Sequence, residues 1–299
     1  MKLDDVDGDD FQIEDRRGQG SSGGGLGGLG SVLGGGGKGV KLGIPALIVV
    51  VIGIFLSQAG GGGGSGSGGL DDILGQLSGD GATQQTAPPN PDGTKDAQYQ
   101  FVGDVGSLLE DFWSDEFQAS GETFDRAGLV IFDAPTDTGG CGVGQPQAVP
   151  FYCPPSKKIF IDVGFYQQLE DQLGFDGDFA MAYVLAHEYG HHVQNLLGIN
   201  DQVRKAQDGA SNTEANALSV QMELQADCFA GVWAKDVYDR LETGDLDEAI
   251  DAVHAVGDDA ISGSNANQES FTHGTSAQRK QWFTTGFESG DAGACDTFA

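Results

Sequence analysis

Hydrophobic residues recur at helical spacing in segment 98–119, which begins the part of the chain that can form a compact core. They are Phe101, Val105, Leu108, Leu109, Phe112, Trp113 and Phe117. This pattern predicts an amphipathic helix whose apolar face is buried in the core.

Two runs of β-branched and aromatic residues predict strands at 128–132 and 157–162. A Gly-, Pro- and Cys-containing loop is predicted between them, at 138–155. We expect the second strand, at 159–163, to form a sheet edge along which a substrate backbone pairs. An ordinary position inside the sheet is the open alternative.

Four helices are predicted in the second half of the chain. The first, at 176–197, has an apolar, alanine-containing start, and Gly198 ends it. The second begins at a cap, Ser211 or Thr213, and reaches about residue 241. The third and fourth cover 245–259 and 276–287. Together with the strands, they predict an α+β fold that is mostly helical with a small sheet.

The first third of the chain lacks this periodicity, and many of the 50 glycines crowd into it. Residues 1–41 carry an acidic run followed by Gly/Ser repeats, which predicts a disordered tail. Residues 60–97, rich in Gly, Ser, Pro and Gln, predict a flexible linker. One domain of roughly 200 residues, 98–299, follows and is large enough for a core.

An uncharged apolar run at 42–59 separates the tail from the linker. It is just long enough to span a bilayer as a single transmembrane helix. A signal-peptide core is the alternative, but a convincing cleavage site is missing, which favours an uncleaved anchor. Lys38 and Lys41 precede the run, so the positive-inside rule predicts a cytoplasmic N-terminus and an extracytoplasmic domain.

The charge balance is strongly acidic, with 15 Lys plus Arg against 45 Asp plus Glu and a formal net charge of −30. This excludes general affinity for nucleic acid or for anionic lipid. Adaptation to high salt and simple solubilisation both remain open as explanations. The sequence contains no indication of an oligomeric state.

The segment 187–191 reads His-Glu-Tyr-Gly-His inside the first of the four helices. His187 and His191 share a helix face, so both imidazoles can reach one ion. Zinc accepts two nitrogens and an oxygen and leaves a position open for water. Glu188 can take a proton from water that attacks a carbonyl. The pattern predicts one Zn²⁺ and peptide hydrolysis, against the alternative of a chance match.

The next helix offers the oxygen ligand. Glu223 is the predicted third ligand, and Asp227, one turn further, can accept the ring N–H of a ligating histidine. A solvated acidic face is the alternative. Apolar neighbours such as Leu224 and Phe229 favour partnered carboxylates, because a carboxylate in apolar surroundings needs a partner.

The two motifs together, H-E-Y-G-H and E-L-Q-A-D some thirty residues later, resemble the gluzincin pattern H-E-x-x-H…E-x-x-A-D. The strings at 187–194 and 223–234 resemble the bacterial putative neutral zinc metallopeptidase family, roughly over 96–286. The resemblance implies a zincin-like domain outside the cytoplasm behind an N-terminal membrane segment. It implies that the metal ligands are His187, His191 and Glu223. It also implies that Glu188 is the general base and that the carboxylate of Asp227 supports a ligating histidine without touching the metal.

The segment 272–279 is similar to the His…Arg segment of membrane-linked gluzincins related to the prenyl-protein endopeptidases. This similarity implies that His273 donates a hydrogen bond to the tetrahedral oxyanion. It also implies that Arg279 pairs with Asp227. For His273, a helix cap or a surface position is the alternative, and His192 and His254 are expected at the surface.

Four cysteines, without a C-x-x-C pair, argue against a second zinc site or a redox pair. An even number in a domain outside the cytoplasm suggests two disulfides, with free thiols in a cytosolic protein as the alternative. Of the three possible pairings we favour Cys141–Cys153 and Cys228–Cys295.

The sequence therefore predicts a membrane-anchored zinc endopeptidase that acts on a peptide or protein substrate. Two alternatives from other classes stay open. One is a non-catalytic, metal-stabilised binding or anchoring domain of the envelope, and the other is a quality-control factor that holds its clients.

Overall fold

A computed structural model describes residues 1–18, 96–146, 148–162, 164–165, 178–262 and 266–299. The predicted transmembrane helix 42–59 lies outside the described residues, as does the predicted linker 60–97 apart from its last two positions. Every helix within the described ranges is too short or too polar to cross a membrane.

Helices form most of the described domain. They are α1 (Ala97–Ser120), α2 (Asp178–Leu196), α3 (Ile199–Gln207), α4 (Asn212–Asp236), α5 (Asp245–Ala255), α6 (Asp258–Ser262) and α7 (Ser276–Ser289). Capping boxes start α4, where Ser211 pairs with Glu214, and α7, where Thr275 pairs with Gln278. The predicted helix at 245–259 is divided into α5 and α6.

Four strands form the main sheet in the order β1-β2-β6-β5. They are β1 (Ile13–Asp15), β2 (Gly128–Phe132), β5 (Phe151–Cys153) and β6 (Lys158–Asp162). β2 pairs in parallel with β1 and β6, whereas β5 is antiparallel to β6. A separate two-stranded sheet joins β3 (Thr136–Asp137) and β4 (Val143–Gly144). The prediction of a mostly helical α+β fold with a small sheet is confirmed.

The edge of the sheet is not where the sequence predicted it. β6 lies between β2 and β5, so the expectation that segment 159–163 forms an edge is wrong. The edge strand beside α2 is β5, which falls in the predicted loop 138–155. Three residues next to a proline are too few to show the alternation that identifies a strand.

The prediction of a disordered tail is wrong for residues 1–18. This segment contains β1 and a 3₁₀ turn at Gly8–Asp10, and Met1 and Phe11 are buried. The ring of Phe11 packs where α1 has Gly106, leaving no room for a Cβ there. The sequence did not reveal this, because an isolated three-residue strand is stabilised only by its partner.

Helices α4 and α7 approach each other closely through two glycines. A Cβ on Gly286 would lie 2.0 Å from the carbonyl oxygen of Cys228, and one on Gly231 would lie 2.0 Å from that of Phe283. Phe283 and Trp233 are fully buried beside this contact. The close approach places Arg279 of α7 against Asp227 of α4.

We predict that Gly286→Ala lowers the free energy of unfolding by about 1–3 kcal/mol or more, because a methyl group there forces the two helices apart. Urea denaturation would measure the change. Lys280→Ala, at an exposed position of the same helix, should alter stability by less than about 0.5 kcal/mol. Equal stability of the two variants would contradict the packing argument.

Candidate metal centre

Three side chains from two helices converge at the proposed metal position. Nε2 of His187 lies 3.1 Å from one carboxylate oxygen of Glu223, and Nε2 of His191 lies 3.5 Å from the other. One potential ligand atom from each lies within 4.8 Å of the other two. Two imidazole nitrogens and a carboxylate oxygen form a donor set that suits Zn²⁺.

The middle of the motif explains how α4 comes close enough to contribute Glu223. Gly190, between the two histidines, faces Ala226 of α4, and a Cβ on Gly190 would lie 3.0 Å from the Ala226 Cα. A larger residue at this position would therefore push α4 away from α2. Tyr189, the preceding residue, is fully buried in the core, and this packing fixes the orientation of α2.

Asp227 occupies the centre of a fully buried polar cluster behind His187. Its carboxylate faces Nδ1 of His187 at 2.9 Å and accepts a hydrogen bond from the Tyr183 hydroxyl at 2.7 Å. Arg279 donates to both of its oxygens, at 2.7 and 2.9 Å. The structure thus contains the Asp227–His187 and Asp227–Arg279 contacts that the sequence predicted.

Tyr183 also belongs to this cluster, although no sequence pattern indicates it. It lies one turn before His187 in α2, within an apolar run. An aromatic residue in such a run predicts only core packing. Its hydroxyl also accepts a hydrogen bond from Arg279 at 3.2 Å, so it connects α2 to α7 as well as to α4.

The cluster determines the protonation of His187 in the metal-free protein. Burial acts to lower the pKa of His187, but the charge of Asp227 and hydrogen bonds to Asp227 and Glu223 raise it to about 10. Burial raises the pKa of Asp227, yet the charges of Arg279 and His187 lower it to about 2. A zinc ion bound here must displace a proton from His187, since only the neutral imidazole ligates.

Glu188 lies between the two histidines and edge strand β5. It is buried, and burial raises the pKa of its carboxyl group, while the charges of His191 and His187 and a backbone hydrogen bond from Tyr152 act in the opposite direction. A carboxylate whose pKa is raised is a better proton acceptor near neutral pH. The position and the environment both suit a general base.

His273 is held at a fixed orientation in the loop before α7. Its Nδ1 lies 3.1 Å from one oxygen of Asp258, and the other oxygen accepts the backbone N–H groups of Thr272, His273 and Gly274. Burial lowers the pKa of His273, but the Asp258 hydrogen bond and the charge of Glu223 raise it. No local sequence pattern marks Asp258, because its partners lie 14 to 16 residues away.

The expectation of a surface position is wrong for His192, whose side chain is fully buried. Its ring accepts from the Tyr152 hydroxyl at 3.0 Å and donates to the backbone carbonyl of Asp125 at 2.7 Å. Burial lowers the pKa of His192 to about 4. His192 therefore serves as a neutral connection between α2 and β5. His254 is exposed, as predicted.

Both predicted disulfides are confirmed. Cys141–Cys153 connects the loop before β4 to β5, and Cys228–Cys295 joins the C-terminal segment to α4 five residues beyond Glu223. Each bond thus constrains an element beside the proposed metal position.

Comparison with known proteins gives matches over nearly the whole chain. The model of the family described as "Putative neutral zinc metallopeptidase" matches residues 3–298. The chain is similar to the uncharacterized protein YpfJ of Escherichia coli (strain K12), with 42% identity over 291 residues, covering 96% of this chain and 95% of that protein. It is also similar to the uncharacterized protein Rv2575 of Mycobacterium tuberculosis, with 41% identity over 192 residues, covering 59% and 64%. No solved structure matches the chain significantly.

We predict that Arg279→Met lowers the free energy of unfolding of the metal-free protein by about 3–5 kcal/mol, because it leaves the Asp227 charge buried with fewer partners. Chemical denaturation at neutral pH would measure this loss. The double variant Asp227→Asn, Arg279→Met should recover part of it, since both charges are removed together. If the double variant lost as much free energy of unfolding as Asp227→Asn and Arg279→Met together, the two side chains would not be coupled.

Proposed function

The chain belongs to the putative neutral zinc metallopeptidase family, and we propose that it is a zinc-dependent endopeptidase whose metal is held by His187, His191 and Glu223. The observation that carries the proposal is the convergence of these three donors beside Glu188. The donor set, its partial burial and the carboxylate behind His187 all fit a zinc site that keeps one position open.

The proposed chemistry divides between the ion and the chain. Zinc, when bound, supplies a Lewis acid that makes water more acidic and polarises a peptide carbonyl. Glu188 accepts a proton from the attacking water and delivers it to the leaving amine. His273 donates a ring N–H to the oxyanion of the tetrahedral intermediate. Asp227 and Arg279 keep the His187 ring in its ligating orientation.

We place an extended peptide substrate along β5. Among the described strands of the main sheet, β5 has a partner on one side only, and it contacts the helix that carries Glu188. A peptide added at this edge gains main-chain hydrogen bonds that are independent of its sequence. The buried His192–Tyr152 contact keeps the edge at a constant distance from α2.

We also propose that the domain lies outside the cytoplasm. Two disulfides support an oxidising environment outside the cytoplasm. Attachment to a membrane through residues 42–59 stays a prediction, because that segment lies outside the described residues.

We predict that Glu188→Gln still binds one zinc ion per chain but cleaves an unfolded protein substrate about 10²–10⁴-fold more slowly, since an amide cannot accept the proton. Zinc content would be measured by elemental analysis and cleavage by gel electrophoresis. Chelation should abolish the cleavage by the wild-type chain, and added Zn²⁺ should restore it.

Glu110→Gln provides the matched control. Glu110 is also a buried glutamate, but it is paired with Arg126 and is not one of the three converging donors. This variant should keep its cleavage rate. Full activity of Glu188→Gln would refute the proposed mechanism. A wild-type chain that binds zinc but cleaves no peptide would favour a binding domain instead.

A further inference from the structure

A chain of side-chain amides lies behind His191, the second proposed ligand. Nδ1 of His191 is 2.8 Å from Oε1 of Gln194, which is one turn further along α2 and completely buried. Nε2 of Gln194 donates to the backbone carbonyl of Met222 at 2.7 Å and to Oε1 of Gln225 at 3.1 Å. Nε2 of Gln225 donates to the backbone carbonyl of Cys295 at 2.9 Å.

The two backbone carbonyls set the direction of every hydrogen bond in this chain. A carbonyl oxygen only accepts, so the amide nitrogen of Gln194 must face Met222, and that of Gln225 must face Cys295. The oxygen of Gln194 is therefore the atom that faces His191. Because this oxygen only accepts, Nδ1 of His191 must carry a hydrogen, which leaves Nε2 as the nitrogen that can ligate.

We propose that Gln194 is a positioning residue that sets the tautomer and the ring orientation of His191, and that Gln225 holds Gln194 in place. The inference rests on the proposed function and deepens it, because it gives the second ligand its own support. For His187 the carboxylate of Asp227 has this role, because it faces Nδ1 and leaves Nε2 as the nitrogen that can ligate. Each ligating ring thus directs Nε2 towards Glu223.

Gln194→Leu tests this inference in the full chain. It should weaken zinc binding by about 10–100-fold, which is the usual effect of removing a partner that orients a ligand. Zinc dissociation constants would be measured by competition with a chromogenic chelator. Gln207→Leu is the matched control, because the Gln207 amide also connects a helix to α4, through Ala215 and Ser219, but touches no proposed ligand. It should change the zinc affinity by less than about twofold.

Equal zinc affinities of Gln194→Leu and Gln207→Leu would overturn the inference. If Gln194→Leu does not fold, Gln225→Leu replaces it. That variant keeps the His191–Gln194 contact but loses its support, so a smaller weakening is expected, and wild-type affinity would overturn the inference. A wild-type chain that binds no zinc would instead refute the proposed function, because these measurements do not depend on cleavage.

A second and independent observation concerns the N-terminal segment 1–18. Backbone hydrogen bonds hold both ends of β1 to β2. The N–H of Arg16 donates to the carbonyl of Ile131, and the N–H of Leu129 donates to the carbonyl of Gln12. Arg17 is almost completely buried and donates to Asp15 and to Asp96, the cap of α1. Residues 1–18 are therefore part of the same folded unit as the described residues of the domain that begins at Asp96.

This unit restricts how the apolar run 42–59 can relate to a membrane. A single crossing by that run would place residues 1–18 on the opposite side from 96–299, and β1 could not pair with β2. We infer that both parts lie on the same side of any membrane to which residues 42–59 attach. The run would then not cross that membrane once, and the N-terminus would not be cytoplasmic while the domain is outside.

Cysteine labelling tests the sidedness in the full chain. Asp10→Cys reports on the N-terminal segment and Lys280→Cys on the domain, since both positions are exposed. Cells with an intact cytoplasmic membrane would be treated with a membrane-impermeant maleimide, and lysed cells would show that both sites react. We expect the two variants to be both labelled or both protected in intact cells. Labelling of only one of them would overturn the inference.

Discussion

The buried carboxylate of Asp227 is the group on which the rest of the site depends. A charge with no exposure to solvent is tolerated only when its hydrogen bonds and its compensating charges are complete. Tyr183 and His187 from α2 and Arg279 from α7 supply them. The same contacts join three helices at one point, so the interaction that neutralises Asp227 also fixes where the proposed ligands stand.

The three helices can meet at this junction because the backbone of α4 lies very close to those of α2 and α7. Glycine occupies positions where helix meets helix, with Gly190 against α4, and Gly231 and Gly286 at the α4–α7 contact. Side chains there would separate the helices and lengthen the Asp227 hydrogen bonds. The tyrosine and glycine inside the His187–His191 motif therefore have structural tasks, since one is buried in the core and the other admits the helix that carries Glu223.

The two proposed histidine ligands have different hydrogen-bond partners at Nδ1. His187 faces a carboxylate, which stabilises a positive charge on its ring, whereas His191 faces a neutral amide. A carboxylate raises the basicity of a ligating imidazole more than an amide does. On the side of the sheet, β5 is held in place by a disulfide through Cys153 and by the contact of Tyr152 with His192 of α2. The N-terminal segment forms the opposite edge of the same sheet.

The sequence by itself determined the elements whose signal is local. Helical periodicity and caps predicted α1, α2, α4 and α7, and motif spacing predicted that His187, His191 and Glu223 lie together. The tertiary structure alone decided the positions of β1 and β5, the burial of His192 and the partners Tyr183, Gln194 and Asp258. Strands of three residues and single polar side chains carry no periodicity. Their roles arise from contacts between segments that are distant in sequence, so only the folded chain shows them.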